Sequence, residues 1–157
     1  MDRSPLKMFM DQQIAGFPLE VPVHVSPTAT VREAVAAMQA GKTSCVLASQ
    51  GTTLAGIFTE RDVLTRCMAD GFDWDQPLNA SVLTREPRTI ASNRTVVEAI
   101  ATMQQRHYRS LPVVQDGQVI GLIRLGTLLG HLAEAYPEAV LNLPPRPHQV
   151  AGKPEGG

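Results

Sequence analysis

Thr59 and Asp62 carry a hydroxyl and a carboxylate three residues apart in the segment GIFTERDVL at residues 56–64. The segment passes from an apolar run to charged residues, as a strand followed by a helix would. A hydroxyl and a carboxylate at this spacing form a capping box, which satisfies free backbone N–H groups at a helix start. A carboxylate can also accept charge-assisted hydrogen bonds from a ligand, and a helix start suits a phosphate. Two interpretations follow: ligand binding together with capping, or capping alone.

An internal repeat indicates the elements that must position this pair. The segment TVREAVAAMQ, which begins at Thr30, returns as TVVEAIATMQ from Thr95, an offset of 65 residues. The same offset relates Gly56 to Gly121. Two copies of a unit too small to bury its own apolar face are expected to pack together, and the crevice between them is a natural ligand site.

The sequence pattern of each copy predicts the element order β-α-β-β-α. Capping boxes at Thr30 and Thr95 precede apolar residues at helical spacing, and apolar runs around turn residues predict hairpins. The predicted elements are extended residues 22–25, a helix from Val31, strands 45–48 and 54–58 and a helix over 60–69, then extended residues 87–90, a helix from Val96, strands 111–114 and 119–123 and a helix over 125–135. The predicted domains are repeat 1 (17–69), a linker (70–81), repeat 2 (82–135) and an extended or disordered Pro/Gly-rich tail (136–157).

Composition argues against several classes of function. With a net charge of −1 and 4 % aromatic residues, the chain shows neither a basic surface nor stacking residues for nucleic acid. No apolar stretch reaches the roughly 18 residues that span a membrane, and the start lacks the apolar core of a signal peptide, so a cytoplasmic protein is expected. Cys45 and Cys67 are interpreted as two small buried thiols.

The sequence gives no positive support for an enzyme. The four histidines do not have metal-ligand spacing among themselves or with the cysteines; they are His24, His107, His131 and His148. Serine, histidine and aspartate are scattered without a nucleophile turn. We therefore expect no catalytic residues, no metal site and no enzymatic activity.

The segment at residues 56–64, set in a duplicated unit of this kind, resembles the signature of CBS domains, the cystathionine β-synthase modules that occur as tandem pairs called Bateman modules. RSLPVV from Arg109 and VIGLI from Val119 support the resemblance, which extends over residues 17–135. It implies an α/β (α+β) fold of two β-α-β-β-α CBS repeats, packed through their sheets with pseudo-twofold symmetry. It also implies a stand-alone bacterial type of regulatory module that requires no cofactor.

The resemblance further implies two clefts for adenosine-containing ligands such as AMP, ADP, ATP or S-adenosylmethionine. In the family, the hydroxyl at the position of Thr59 contacts ribose or phosphate, and the carboxylate at the position of Asp62 accepts both ribose hydroxyls. One repeat supplies this clamp, and the other supplies much of the adenine wall and the phosphate contacts. Nucleotide-binding residues implied beyond the clamp are Arg61, Arg88, Thr89, Ile90, His107, Tyr108, Arg109 and Arg124.

The second copy departs from the family pattern. Arg124 stands where the first copy has Thr59, and Thr127 stands where it has Asp62. Without the carboxylate the ribose clamp is missing. The second cleft is therefore expected to be empty or to bind differently.

The leading hypothesis is a module that binds an adenine nucleotide and signals energy or metabolite state to an unidentified effector protein. The closing helices carry more apolar residues than a small lobe needs, including Leu64 and Leu129, which predicts a homodimer. The alternative is a ligand-free dimerisation or scaffold module in which Thr59 and Asp62 act only as helix caps.

Overall fold

Two similar α/β units make up the part of the chain that the computed structural model describes, residues 4–79 and 81–138. The helices are α1 (Pro5–Met10), α2 (Val31–Gly41), α3 (Glu60–Arg66), α4 (Val96–Arg106) and α5 (Leu125–Ala135), with a 3-10 turn at Ile14–Gly16. The strands are β1 (His24–Val25), β2 (Cys45–Gln50), β3 (Thr53–Thr59), β4 (Thr84–Arg85), β5 (Ile90–Ala91), β6 (Ser110–Gln115) and β7 (Gln118–Arg124). The predicted fold class is confirmed. No helix within these described ranges is long and apolar enough to cross a membrane.

The capping boxes predicted for the first helix of each copy are present. Thr30 accepts a hydrogen bond from the Glu33 backbone N–H at 3.1 Å and donates its own N–H to the Glu33 carboxylate at 2.9 Å. Thr95 and Glu98 repeat this arrangement at the start of α4. The predicted apolar stripes face the cores, and their buried members are Val31, Ala34, Met38, Val96, Ala99 and Met103. Local capping and amphipathic spacing therefore place both helices.

Each repeat has its own small sheet, in the order β1-β2-β3-β4 and β5-β6-β7. The first strand of each is parallel to the next, and the two longer strands form an antiparallel hairpin. In the second hairpin the turn residues Asp116 and Gly117 have φ of 51° and 77°, the left-handed backbone predicted from the Asp-Gly pair. Each hairpin delivers its last residue directly into the second helix of its repeat.

The segment that leads into each repeat pairs with the sheet of the other repeat. β4 leads into repeat 2, yet it pairs with β3, where Arg85 lies opposite Gly56. Glu20 leads into repeat 1, yet it exchanges two backbone hydrogen bonds of 2.9 Å with Leu122 in β7. The two repeats are therefore joined by crossed backbone pairing.

The cores follow the same crossed pattern. Phe9, Ile14 and Phe17, which precede β1, are buried in the core of repeat 2. Correspondingly, Leu78, Val82 and Leu83 precede the strands of repeat 2 and are buried in the core of repeat 1. A third cluster joins the two sheets and contains Cys45, Leu47, Ile57 and Leu122. The crossing lead-in segments thus contribute apolar burial as well as hydrogen bonds.

Both cysteines are buried and free, as predicted. Burial raises the pKa of the Cys45 thiol to about 11, because the charged thiolate is poorly solvated among the residues of the inter-sheet cluster. Cys67 also has a raised pKa, for which burial is the largest cause. Both side chains act as small apolar groups in the core.

The structure corrects the predicted extent of several elements. The predicted helix over 60–69 ends at Arg66, because Cys67 leaves the helical conformation (φ −115°, ψ 1°) and is buried in the repeat 1 core. The predicted extended pieces at 22–25 and 87–90 form strands only at β1 and β5, which pair over two residues each. The predicted extended or disordered tail lies outside the described residues from position 139 onward.

Candidate functional site

Thr59 and Asp62 form a complete capping box at the start of α3. The Thr59 hydroxyl accepts a hydrogen bond from the Asp62 N–H at 3.2 Å. In return, the Thr59 N–H and hydroxyl donate to Oδ2 of Asp62 at 2.9 and 3.1 Å. The hairpin strand β3 ends at Thr59 in an extended conformation, which is the backbone that an N-cap residue requires.

Asp62 differs from the other two capping carboxylates because it is buried. Its residue exposure is 7 %, whereas Glu33 and Glu98 are exposed to solvent. In the capping box of α4, the hydrogen bond from the Thr95 backbone N–H lowers the pKa of the exposed Glu98 carboxylate. A carboxylate can therefore cap a helix while it remains exposed to solvent. Capping alone therefore does not account for the burial of Asp62.

The Asp62 carboxylate retains capacity to accept further hydrogen bonds. Oδ2 receives both bonds from Thr59, while Oδ1 lies 3.5 Å from Nε of Arg66 in a long ion pair. Two carboxylate oxygens offer about four acceptor positions, and the contacts above do not use all of them. The sequence-based prediction of the site did not include Arg66. Its position four residues after Asp62 on the same helix could have indicated this ion pair.

Arg61 brings the start of α3 in repeat 1 together with the turn after α4 in repeat 2. Its Nη1 donates a hydrogen bond to the backbone carbonyl of His107 at 3.3 Å. His107 ends α4 in the left-handed conformation (φ 56°, ψ 37°), and both residues are exposed. The side of α3 that carries Arg61 thus faces the turn that continues into Tyr108 and Arg109.

Arg109 and Arg124 lie at the start of α5. The Arg109 carbonyl accepts a hydrogen bond from the Leu125 N–H at 2.9 Å, and Arg124 lies opposite Ser110 in the hairpin. Nη1 of Arg124 also lies 3.4 Å from the Glu20 carboxylate. This ion pair joins residues 104 positions apart, and no local pattern in the sequence could have indicated it.

The remaining predicted site residues of repeat 2 differ in their exposure to solvent. Arg88 and Thr89 are exposed just before β5, whereas Ile90 is buried in the core of repeat 2. Tyr108 is partly buried and packs against the same core. The structure gives Ile90 a packing role, and its contribution to an adenine wall stays a prediction.

The matching position in repeat 2 lacks the features of the first. Arg124 precedes α5 and provides no side-chain cap within the described residues, and Thr127 replaces the carboxylate. Gly126 matches Arg61, and a Cβ added there would meet no atom within 4 Å apart from its own helix and its chain neighbours. The starts of α3 and α5 therefore differ in charge and in side-chain capping.

A groove of about 590 Å³ lies elsewhere, near the opposite end of β3 from Thr59. Its lining residues are Pro27, Ala55, Leu78, Asn79, Leu83, Arg85 and Glu86. None of the ten residues predicted to bind a nucleotide lines this groove. The groove is thus separate from the candidate site built around α3.

Comparison with known sequences identifies the repeated unit. The CBS domain model matches residues 14–69 and 80–134. CBS domain-containing protein CBSCBSPB3 of Arabidopsis thaliana is 41 % identical over 80 residues, which is 51 % of this chain and 14 % of that protein. This chain spans at most about a quarter of the length of the three Arabidopsis relatives CBSCBSPB3, CBSCBSPB2 and CBSCBSPB1.

Comparison with solved structures gives the same fold. CBS domain protein PAE2072 from Pyrobaculum aerophilum, complexed with AMP, has a TM-score of 0.68 and 22 % identity, covering 78 % of this chain and 99 % of that one. The CBS domain pair of protein MJ0100, in complex with 5'-methylthioadenosine and S-adenosyl-L-methionine, has a TM-score of 0.66 and 16 % identity. That match covers 76 % of this chain and 98 % of the other. At these identities the likeness concerns the fold.

Proposed function

This chain belongs to the CBS domain family, and on that premise we propose that it is a non-catalytic regulatory module that binds an adenosine-containing nucleotide between its repeats. The ligand class is AMP, ADP or ATP, with S-adenosylmethionine as the further candidate. The AMP in the PAE2072 structure and the two adenosine compounds in the MJ0100 structure support this class.

The observation that carries the proposal is the buried carboxylate of Asp62. It lies at the start of α3, beside a turn of the other repeat that Arg61 contacts. The remaining acceptor capacity of this carboxylate suits the two hydroxyls of a ribose, because one carboxylate can accept from both members of a cis-diol. The long ion pair with Arg66 would yield to such donors at little cost, since Arg66 is 37 % exposed.

The phosphate end of the ligand is assigned to the basic residues around the same cleft. Arg61 and Arg109 are exposed, and a guanidinium matches the oxygens of a phosphate better than an ammonium does. Arg88 and Thr89 supply further polar groups before β5. Arg124 is a weaker candidate, because the Glu20 carboxylate already partly neutralises its charge.

Isothermal titration calorimetry with adenosine, AMP, ADP, ATP and S-adenosylmethionine tests the proposal, with GMP as the matched control. We expect saturable binding of at least one adenosine compound at one site per chain and much weaker binding of GMP. If no compound in the panel binds at millimolar concentration, the nucleotide proposal is wrong.

A ligand-free scaffold is the second candidate, and the complete capping box favours it. Thr59 and Asp62 satisfy each other without a ligand, so their presence alone does not require one. Under this hypothesis the calorimetric panel shows no binding. Assembly of the module is then its function.

Regulation requires that the ligand favour one arrangement of the module over another, because a ligand with equal affinity for both shifts nothing. The crossed lead-in segments offer such a coupling, since they tie each repeat to the sheet of the other. We propose that the occupied and empty states differ in how they bind an effector protein. Comparing effector affinity with and without nucleotide measures this difference.

We also propose that the module forms a homodimer through α3 and α5. Leu64 and Leu129 occupy matching positions of the two repeats and are 69 % and 52 % exposed, and Met68 is 63 % exposed. Large apolar side chains at matched places favour a second copy with twofold symmetry. Multi-angle light scattering should give twice the 17.0 kDa chain mass.

Leu64→Asp is expected to shift this dimer towards monomer, because it buries a charge in the proposed interface. Val97→Asp is the control, since Val97 is also exposed, at 42 %, but lies on α4. A wild-type mass near that of one chain at micromolar concentration contradicts the proposal, as does an equal effect of both variants.

A further inference from the structure

His107 holds a backbone conformation that is uncommon for residues other than glycine. It ends α4 in the left-handed region at φ 56°, and Lys42 does the same after α2 at φ 50°. These positions match in the 65-residue offset, and neither carries the glycine that usually occupies such a turn. Backbone strain of this kind persists where the surrounding structure holds it. In repeat 2 the turn presents its carbonyl to Arg61.

The contact leaves most of the Arg61 guanidinium available. Nη1 donates to the His107 carbonyl at 3.3 Å, and a guanidinium has five N–H donors in a fixed planar fork. Arg61 stands at the second position of α3, next to Asp62 in the chain, and its head group lies at the His107 turn. A donor held by a carbonyl of the other repeat loses less conformational freedom when it binds an anion.

We propose that the backbone carbonyl of His107 positions Arg61 for the phosphate of the nucleotide, so that phosphate recognition in repeat 1 depends on the turn of repeat 2. This inference rests on the proposed function and assigns the role to the His107 backbone; its imidazole is dispensable. Arg61 is the phosphate contact, and His107 is a positioning residue. The Gly126 at the matching place in repeat 2 has no side chain and cannot repeat the arrangement.

The distinguishing measurement is the ratio of AMP affinity to adenosine affinity, determined by calorimetry on the full chain. Arg61→Met should lower AMP affinity at least tenfold and leave adenosine affinity within twofold. His107→Gly keeps the carbonyl and accepts the left-handed backbone easily, so it should lose much less AMP affinity than Arg61→Met. His107→Val opposes that backbone and should lower AMP affinity selectively.

Combined substitutions and a matched control complete the test. The double variant Arg61→Met with His107→Val should lose no more AMP affinity than Arg61→Met alone, because both substitutions remove the same interaction. Lys42→Val strains the matching turn of repeat 1 and should leave the AMP-to-adenosine ratio unchanged.

Three results would overturn the inference. If His107→Gly loses as much AMP affinity as Arg61→Met, the imidazole binds the phosphate. If His107→Val weakens AMP and adenosine equally, the turn has only a structural role. If the wild type binds neither compound, the proposed function fails and this inference fails with it, whereas the first two results leave nucleotide binding intact.

Discussion

Asp62→Ala is expected to lower the affinity for the adenosine nucleotide at least tenfold while the protein stays folded. The substitution removes charge-assisted hydrogen bonds to the ribose, each worth about 1.5 to 3 kcal/mol, and about 1.4 kcal/mol corresponds to tenfold. Titration calorimetry measures the affinity, and circular dichroism with urea unfolding measures the fold and its stability.

The capping role of Asp62 predicts a smaller and separable effect. Losing a helix cap costs about 1 kcal/mol of the free energy of unfolding. Asp62→Asn keeps an oxygen that can accept the Thr59 N–H, yet it removes the charge that favours the ribose hydroxyls. We therefore expect Asp62→Asn to have a larger free energy of unfolding than Asp62→Ala. Its nucleotide affinity should nevertheless be well below that of the wild type.

Thr127→Ala is the matched control, because Thr127 occupies the position of Asp62 in the second copy. Nucleotide affinity should stay within twofold of the wild type. Equal losses in Asp62→Ala and Thr127→Ala would show two working sites. Unchanged affinity in Asp62→Ala would leave Asp62 as a helix cap only and favour the scaffold hypothesis.

The elements of each repeat could be predicted because their signals are local. The boxes at Thr30 and Thr95 fix the starts of α2 and α4, and short apolar runs around turn residues indicate the hairpins. The end of α3 could not be predicted, because Cys67 leaves the helix to fill the repeat 1 core. That preference depends on tertiary packing.

The crossed lead-in segments were missed because they do not follow the offset of the repeats. Leu19 packs against Gly121 as Leu83 packs against Gly56, and these two leucines are 64 residues apart, whereas the glycines are 65 apart. The extra residue is accommodated between Leu83 and Pro87, where Glu86 takes a left-handed conformation with φ of 47°. A search limited to one offset overlooks this match.

The candidate site could be predicted only to the level of its segments. The motif made Thr59 and Asp62 candidates, and the resemblance to CBS domains implied which turn of the other repeat would lie across from them. The sequence could not distinguish the His107 carbonyl from its imidazole, because that choice depends on the backbone of the turn. It also could not reveal that Glu20 pairs with Arg124, since the crossing brings them together.

Gly56→Ala is expected to lower the free energy of unfolding by about 1 to 3 kcal/mol, because the crossing segment leaves no space for a methyl group. An added Cβ would lie 2.6 Å from the Thr84 carbonyl oxygen and 2.7 Å from Cγ of Leu83. The first of these atoms is backbone and is held in the pairing of β4 with β3. Glycine is required at position 56 by the close approach of β4 to β3. A left-handed backbone is not the reason, because the φ of Gly56 is not positive.

Gly130→Ala provides the control for Gly56→Ala, because it adds the same methyl group in α5 where nothing lies within 4 Å. It should raise the free energy of unfolding by about 0.5 to 1 kcal/mol, since alanine favours a helix over glycine. Urea unfolding compares both variants with the wild type. If Gly56→Ala unfolds at the same urea concentration as the wild type, β4 does not cross tightly over β3. The β4–β3 contact then could not couple the repeats, and a signal between them would have to pass through the other connections, such as the pairing of Glu20 with Leu122 or the inter-sheet cluster around Leu47.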